Sequence, residues 1–224
     1  MPHAKLFPGL PFLAFRRTLI ALALLLPGLL LVSVVRGAVA PTVTEPPRAP
    51  APPSLAGQLL IATPEMRDPR FDHAVILVVR HDKSGALGIV INMPAGTRPL
   101  SELLAAIGES SADASIVPIY AGGPVQPDMA LVLHSAEYNA QGTITVDGHL
   151  ALTVNPQILR DIAAKKGPQK SLFAFGYAGW GAGQLESELA HNVWYTAPED
   201  PKLVFDEDRA KVWDRAVARR TQDL

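Results

Sequence analysis

The chain has 224 residues, 48% of them hydrophobic, with 20 basic and 21 acidic side chains for a formal net charge of −1. It contains no cysteine, which excludes thiol nucleophiles, disulfide staples, iron–sulfur clusters and Cys-ligated zinc. Lys5, Arg16, Arg17 and Arg36 precede position 41, so 20 less these four leaves 16 basic residues against 21 acidic ones beyond it; a region at −5 without a Lys/Arg cluster has little counterion release to offer, and nucleic acid is not an expected partner.

Thr18 to Val35 reads TLIALALLLPGLLLVSVV, eighteen residues without a charge. As a helix it would reach about 27 Å, enough for a bilayer core. Arg16 and Arg17 precede it; Arg36 and Ala38-Val39-Ala40 follow. A retained anchor, a cleaved signal peptide and a twin-arginine export signal all fit this arrangement. Cleavage after Ala40 would leave Pro41 at the mature N-terminus, where it obstructs the peptidase, and the Leu-rich core favours an anchor. Pro27-Gly28 at mid-run and the lack of a polar face argue against a buried soluble helix. Positive charge before the run predicts an N-terminus on the cytosolic side with the domain across the membrane, or an exported domain. The alternative is a cytoplasmic protein made from a later start.

Six prolines fall within Pro41 to Pro53, so this stretch is an extended linker rather than helix or paired strand. The division is therefore an anchor or signal segment over 1–40, a Pro-rich linker over 41–56 and one domain over 57–224.

Within the domain, Gly57 to Ala62 reads as a first strand. His73 to Val79 and Ala86 to Ile91 are β-branched runs joined by a loop from His81 to Gly85. Leu100, Leu103, Leu104 and Ile107 recur at helical spacing and stop at Gly108, predicting a helix with Leu103, Leu104 and Ile107 buried. Ile116 to Tyr120 and Met129 to His134 are further strands. Thr143 to Val146 and His149 to Val154 flank Asp147-Gly148, a hairpin turn dipeptide. Asn155 caps the next helix, with Pro156 at its first position and Lys165-Lys166 at its end. Leu172 to Gly176 is a strand, Gln184 to Ala190 a short helix, Val193 to Thr196 a strand, and Asp206 to Arg219 a closing helix with acids first and bases last. Hairpins dominate over βαβ units, so the class is α+β.

Several sequence blocks occur in an order that resembles the YqgE/AlgH family of bacterial proteins. These are Ala62-Thr63-Pro64-Glu65-Met66 with Asp68 and Phe71, then Gly85 to Asn92 with Pro94, then Gly122-Gly123-Pro124-Val125 with His134. Gly176-Tyr177-Ala178-Gly179-Trp180, Gly183-Gln184-Leu185-Glu186, Glu188, Asn192, Trp194, Phe205-Asp206 and Trp213 complete the set. The resemblance spans Gly57 to about Arg220 and implies a mixed, hairpin-rich sheet curled into a pseudo-barrel with flanking helices. A hydrophobic N-terminal helix precedes it here. The family has no settled biochemical function. Met93 and Met129 stand where relatives usually carry a basic residue, so an anion contact at those positions is not carried over.

The segment Gly176 to Gly183, read as a glycine-rich loop between strand and helix, is the natural place to seek a phosphate site. Its spacing matches neither the dinucleotide fingerprint nor a P-loop, and Glu186 and Glu188 near the helix start would repel a phosphate. Trp180 and Trp194 flank the loop, as core or as a shelf for a ligand. The six histidines show no ligand spacing, so no metal and no cofactor are expected. No nucleophile elbow or paired catalytic carboxylates stand out. Two functions follow. One is a non-enzymatic interaction or regulatory module that holds an unknown protein or small ligand on the surface around Gly122, Gly123, Gly179 and Trp180. The other is an enzyme of unknown reaction with His134, Gln184 and Glu188 in one site. An apolar pocket enclosing those three groups would favour the enzyme.

Overall fold

A computed structural model of the chain describes residues 53–205 and 208–221. The apolar run 18–35 and most of the Pro-rich linker lie outside them, as do Asp206 and Glu207. No helix among the described residues is long and apolar enough to cross a membrane.

The strands in chain order are β1 (Gln58–Ala62), β2 (Val75–Asp82), β3 (Gly85–Val90), β4 (Pro94–Pro99), β5 (Ile116–Ala121), β6 (Val125–Ser135), β7 (Thr143–Thr145), β8 (Leu150–Thr153), β9 (Ser171–Gly181) and β10 (Trp194–Pro198). The helices are α1 (Leu100–Ala106), α2 (Gln157–Ala163), α3 (Gln184–Ala190), α4 (Pro201–Val204) and α5 (Val212–Val217). The ten strands form one sheet whose main path runs β10-β1-β2-β3-β9-β6-β8-β7, with β5 joining β9 to β4 on a branch. All pairings but β5–β9 are antiparallel. The class is mixed α+β, with a curled, half-barrel sheet.

The main core lies against one face of the sheet, where Leu59, Ile61, Leu77, Ile89, Leu133, Leu152 and Leu172 meet Val212 and Ala216 of α5. The alternate residues Leu60, Ile76, Val78 and Val90 pack on the other face with Trp180, Trp194 and Leu185. Period-two burial on both faces explains why β1 to β3 read as continuous apolar runs. A third cluster joins Leu100 and Leu104 of α1 to Ile158 and Leu159 of α2.

The segment Gly176 to Gly183 is not a loop up to its end: β9 continues through Gly181. The first half of β9 pairs with β5 and β6, whereas Ala178 to Gly181 pair with β3. The change of partner is centred on Gly176, whose φ of +71° is open to glycine. A Cβ at Gly176 would lie 2.3 Å from the Gly123 carbonyl oxygen, one at Gly122 would lie 2.3 Å from the Gly176 oxygen, and one at Gly123 would lie 2.2 Å from the Tyr177 carbonyl carbon. These glycines let two backbones cross in contact.

Other departures have local causes. Leu103 and Ile107 are half-buried, while Leu100 and Leu104 take the core positions of α1. The β2–β3 connection is tighter than a five-residue loop, with Asp82 paired to Gly85. Strand β4 carries Pro, Gly and no alternation because it is an exposed edge held only by β5. Instead of a single closing helix there are α4, a 3-10 turn at Arg209–Lys211 and α5. The Arg209 guanidinium donates to Tyr120 Oη, the Val204 oxygen and the Ile91 oxygen, which holds this segment against the sheet. Asp147-Gly148 lies at the β7–β8 connection as expected, and Asn155 Oδ1 accepts the Gln157 N–H at the start of α2.

Candidate functional site

The segment after β1 is shaped by its own polar side chains. Thr63 donates to the Asn192 oxygen and accepts the Glu65 N–H. Asp68 accepts the Arg70 N–H and grips the Arg70 guanidinium, with a contact of 2.6 Å. This closes the 3-10 turn Pro69–Phe71 and turns Phe71 edge-on to Trp194, 5.8 Å between ring centroids. Facing this turn are the last residues of β9, the Pro124-Val125 entry to β6, and α3 with the start of β10. Together they enclose a cavity of about 720 Å³.

Its wall is organised by Glu188. One carboxylate oxygen, Oε2, accepts both indole N–H groups, from Trp180 at 2.8 Å and Trp194 at 2.7 Å. The other, Oε1, accepts the Gln184 amide at 2.9 Å, and Gln184 Oε1 accepts the Gly181 N–H. The spacing of Gln184 and Glu188, one helical turn apart, makes this bond available on α3. Trp180 and Trp194 are both buried and meet edge-on, so each is core and cavity wall at once. The carboxylate is held by neutral donors alone, and no cationic side chain among the described residues pairs with it. Arg70, on the rim, is already engaged by Asp68.

Glu186 does different work. It bonds Nε2 of the buried His81, whose Nδ1 accepts the Leu55 N–H. The backbone amide of Glu186 holds its carboxyl below the usual carboxylate range, and His81 adds to this. Of the two glutamates on α3, only Glu186 lies in the first turn, and its partner is an imidazole, whereas Glu188 is held by neutral donors.

Gly179, Trp180, Gln184 and Glu188 come together in the cavity wall. Gly122 and Gly123 immediately precede the Pro124-Val125 edge of the cavity, and their small size answers to the backbone crossing described above. His134 is elsewhere. It is fully buried and pairs with Ala151 of β8 and Ser171 at the far end of β9. Its Nδ1–H donates to the Ser135 oxygen and its Nε2 accepts the Thr153 hydroxyl. Burial pushes its imidazole pKa down, against the pull of the Ser135 carbonyl. The enzyme arrangement of His134, Gln184 and Glu188 is therefore not assembled. No Ser, Thr, Cys or Lys is among the described residues lining the cavity; its titratable groups are Glu65, Asp68, Glu188, His191 and two arginines.

Sequence reasoning overlooked Phe71, Met66 and Arg67 as neighbours of the tryptophans. Their block was visible, but nothing in it showed that Thr63 ties it to Asn192, just before Trp194.

Comparison with known proteins shows the family to which the chain belongs. The AlgH-like family profile matches residues 59–224. A UPF0301 protein of Pseudomonas entomophila is 47% identical over 157 residues, covering 69% of this chain and 82% of that protein. One from a Jannaschia species is 45% identical over 166 residues, covering 73% and 86%. Among solved structures, the AlgH protein of Pseudomonas aeruginosa is similar with a TM-score of 0.66 and 42% identity, covering 77% of this chain and 92% of that one. A Corynebacterium diphtheriae protein shares the fold alone, with a TM-score of 0.59 at 20% identity over 77% of this chain and 90% of that one.

Proposed function

We propose that this chain, which belongs to the AlgH-like family, is a non-enzymatic binding module tethered to a membrane, and that the Trp180–Trp194 cavity receives its partner. The observation that carries the reading is the Glu188 carboxylate in the wall of a cavity of about 720 Å³, bonded to two indoles and an amide but, among the described residues, to no cation. A carboxylate beside aromatic rings suits a cationic group on an apolar stem, whose charge meets the acid while its methylenes lie on the rings. A lysine or arginine side chain of a partner protein has that form. The volume also lies within the range of small-ligand sites, so a free amine is the second reading.

The tether rests on residues 18–35 and the Pro-rich stretch after them, both N-terminal to the region of the family match. The charge order supports a domain on the periplasmic side of a bacterial inner membrane. In the alternative reading, without the extension, the domain is cytoplasmic.

Affinity capture from membranes with the full chain as bait, alongside a Glu188→Gln bait, tests the binding reading. The tryptophan emission of the same two proteins is followed against a Lys/Arg-rich peptide and against a free alkylamine. Capture and an emission change that both fall with the variant support it; equal capture by the two baits, with no emission change, overturns it. Protease added to spheroplasts that carry a C-terminally tagged chain tests the tether. A soluble, protected full-length protein overturns that part.

A further inference from the structure

The main path of the sheet ends at β10 and at β7, and its curl brings these two ends to one place. Asp147 lies in the turn after β7, His149 in the same turn before β8, and Glu199 directly after β10. Their donor atoms lie within 4.8 Å of one another. The three residues therefore meet at the seam of the half-barrel, where β7 and β10 have no backbone ladder between them.

Each carboxylate is oriented from behind. Asp147 Oδ1 accepts the His149 N–H at 2.7 Å and the Leu150 N–H at 2.8 Å. Glu199 donates its own N–H to the Gly57 oxygen at 3.2 Å, and its Oε1 lies 3.0 Å from His149 Nδ1. The remaining oxygens, Asp147 Oδ2 and Glu199 Oε2, are buried and have no hydrogen-bond partner. This is a separate observation from the clustering. Two carboxylate oxygens screened from water and given no donor need either a shared proton or a metal ion between them.

We propose that Asp147, His149 and Glu199 bind a divalent transition-metal ion of the zinc type, which clips the β7–β8 turn to the end of β10. One imidazole nitrogen with two carboxylates is a donor set such an ion takes. With metal–ligand bonds near 2.1 Å, neighbouring ligands stand about 3.0 Å apart in octahedral and about 3.4 Å in tetrahedral geometry. Without the ion, His149 Nδ1 and Glu199 Oε1 are joined by a hydrogen bond of 3.0 Å, which the metal would replace with little movement of either side chain. The exposed ring of His149, 70% accessible, gives the ion a route in and leaves room for water ligands. Spacing along the sequence concealed the set, because Glu199 follows His149 by 50 residues. The site is distinct from the tryptophan cavity, with which it shares no residue.

The test uses the full chain in mild detergent, stripped with a chelator and titrated with Zn²⁺, with Mg²⁺ as control. Calorimetry should find one high-affinity Zn²⁺ per chain, the melting midpoint should rise, and amide exchange should slow at the β7–β8 turn. His149→Ala, at an exposed position, and Glu199→Gln should each weaken binding at least about tenfold, the lower end of what loss of even an outer partner costs. Failure of the wild type to bind, or equal binding by wild type and His149→Ala, overturns the proposal. If Zn²⁺ leaves the midpoint unmoved while Glu199→Gln raises it, a shared proton joins the carboxylates and the metal is excluded.

Discussion

Trp180 and Trp194 donate their indole N–H groups to the same oxygen of Glu188, at 2.8 and 2.7 Å, with ring centroids 6.2 Å apart. One acid at the middle of α3 thus fixes the end of β9 against the start of β10, elements that share no ladder. Glu188→Ala strands two donors, at about 1–3 kcal/mol each if they stay buried. Chemical denaturation of the full chain should show that loss. Glu188→Gln keeps an acceptor for the indoles and should lose less; equal loss in the two variants would show that the double acceptance does not matter.

Trp180→Ala should destabilise the domain by about 3–5 kcal/mol. The ring is 8% exposed and packs with Ile76, Ala86 and Leu185 in the second core. A variant that kept its melting midpoint yet lost its partner would make Trp180 a contact residue only.

The glycines divide sharply by position. Gly122→Ala puts a methyl 2.3 Å from the Gly176 oxygen, backbone that has no rotamer to yield. Its cost should match or exceed the ~1–3 kcal/mol of ordinary overpacking. Gly148→Ala meets nothing within 4 Å at a φ open to other residues, and should stay within about 0.5 kcal/mol. Comparing the two midpoints checks the crossing, and equal midpoints would refute it.

Which parts of the fold were legible follows from how local each signal is. The Asp147-Gly148 turn, the Asn155 cap and the existence of α1 are set by residues within a few positions of each other, and they were readable; the expected buried set Leu103, Leu104 and Ile107 held only for Leu104, since Leu100 takes the other core position. Strand β4 was not, since PAGTRP is held by β5 rather than by its own propensity. The length of β9 was misread because glycines that look like a loop serve a crossing with Gly122-Gly123, over fifty residues earlier. Gln184, Glu188 and Trp180 could be placed together because they are close in sequence. That Trp194 shares the acid, and that His134 lies at the other end of β9, depend on strand pairing that no spacing reveals.

His134 is buried between a carbonyl that must accept from Nδ1 and a hydroxyl that donates to Nε2, so the ring fits its site neutral. Burial lowers its pKa below the ordinary 6.5. In the unfolded chain the ring protonates normally, so between 6.5 and the lowered value the unfolded state binds more protons than the folded one. Stability from this residue is therefore fully present above pH 6.5 and is lost as pH falls through that window. The slope is at most ~1.4 kcal/mol per pH unit for one group. Other titrating groups act on the wild type as well, so the readout is the difference from His134→Gln, whose amide does not titrate. Denaturation at pH 7.5, 6.5, 5.5 and 5.0 should show the wild type losing ground to the variant by up to about 2 kcal/mol from pH 6.5 to 5.0. Parallel curves would mean that the ring is reached by water and takes its proton without opening β6 from β8.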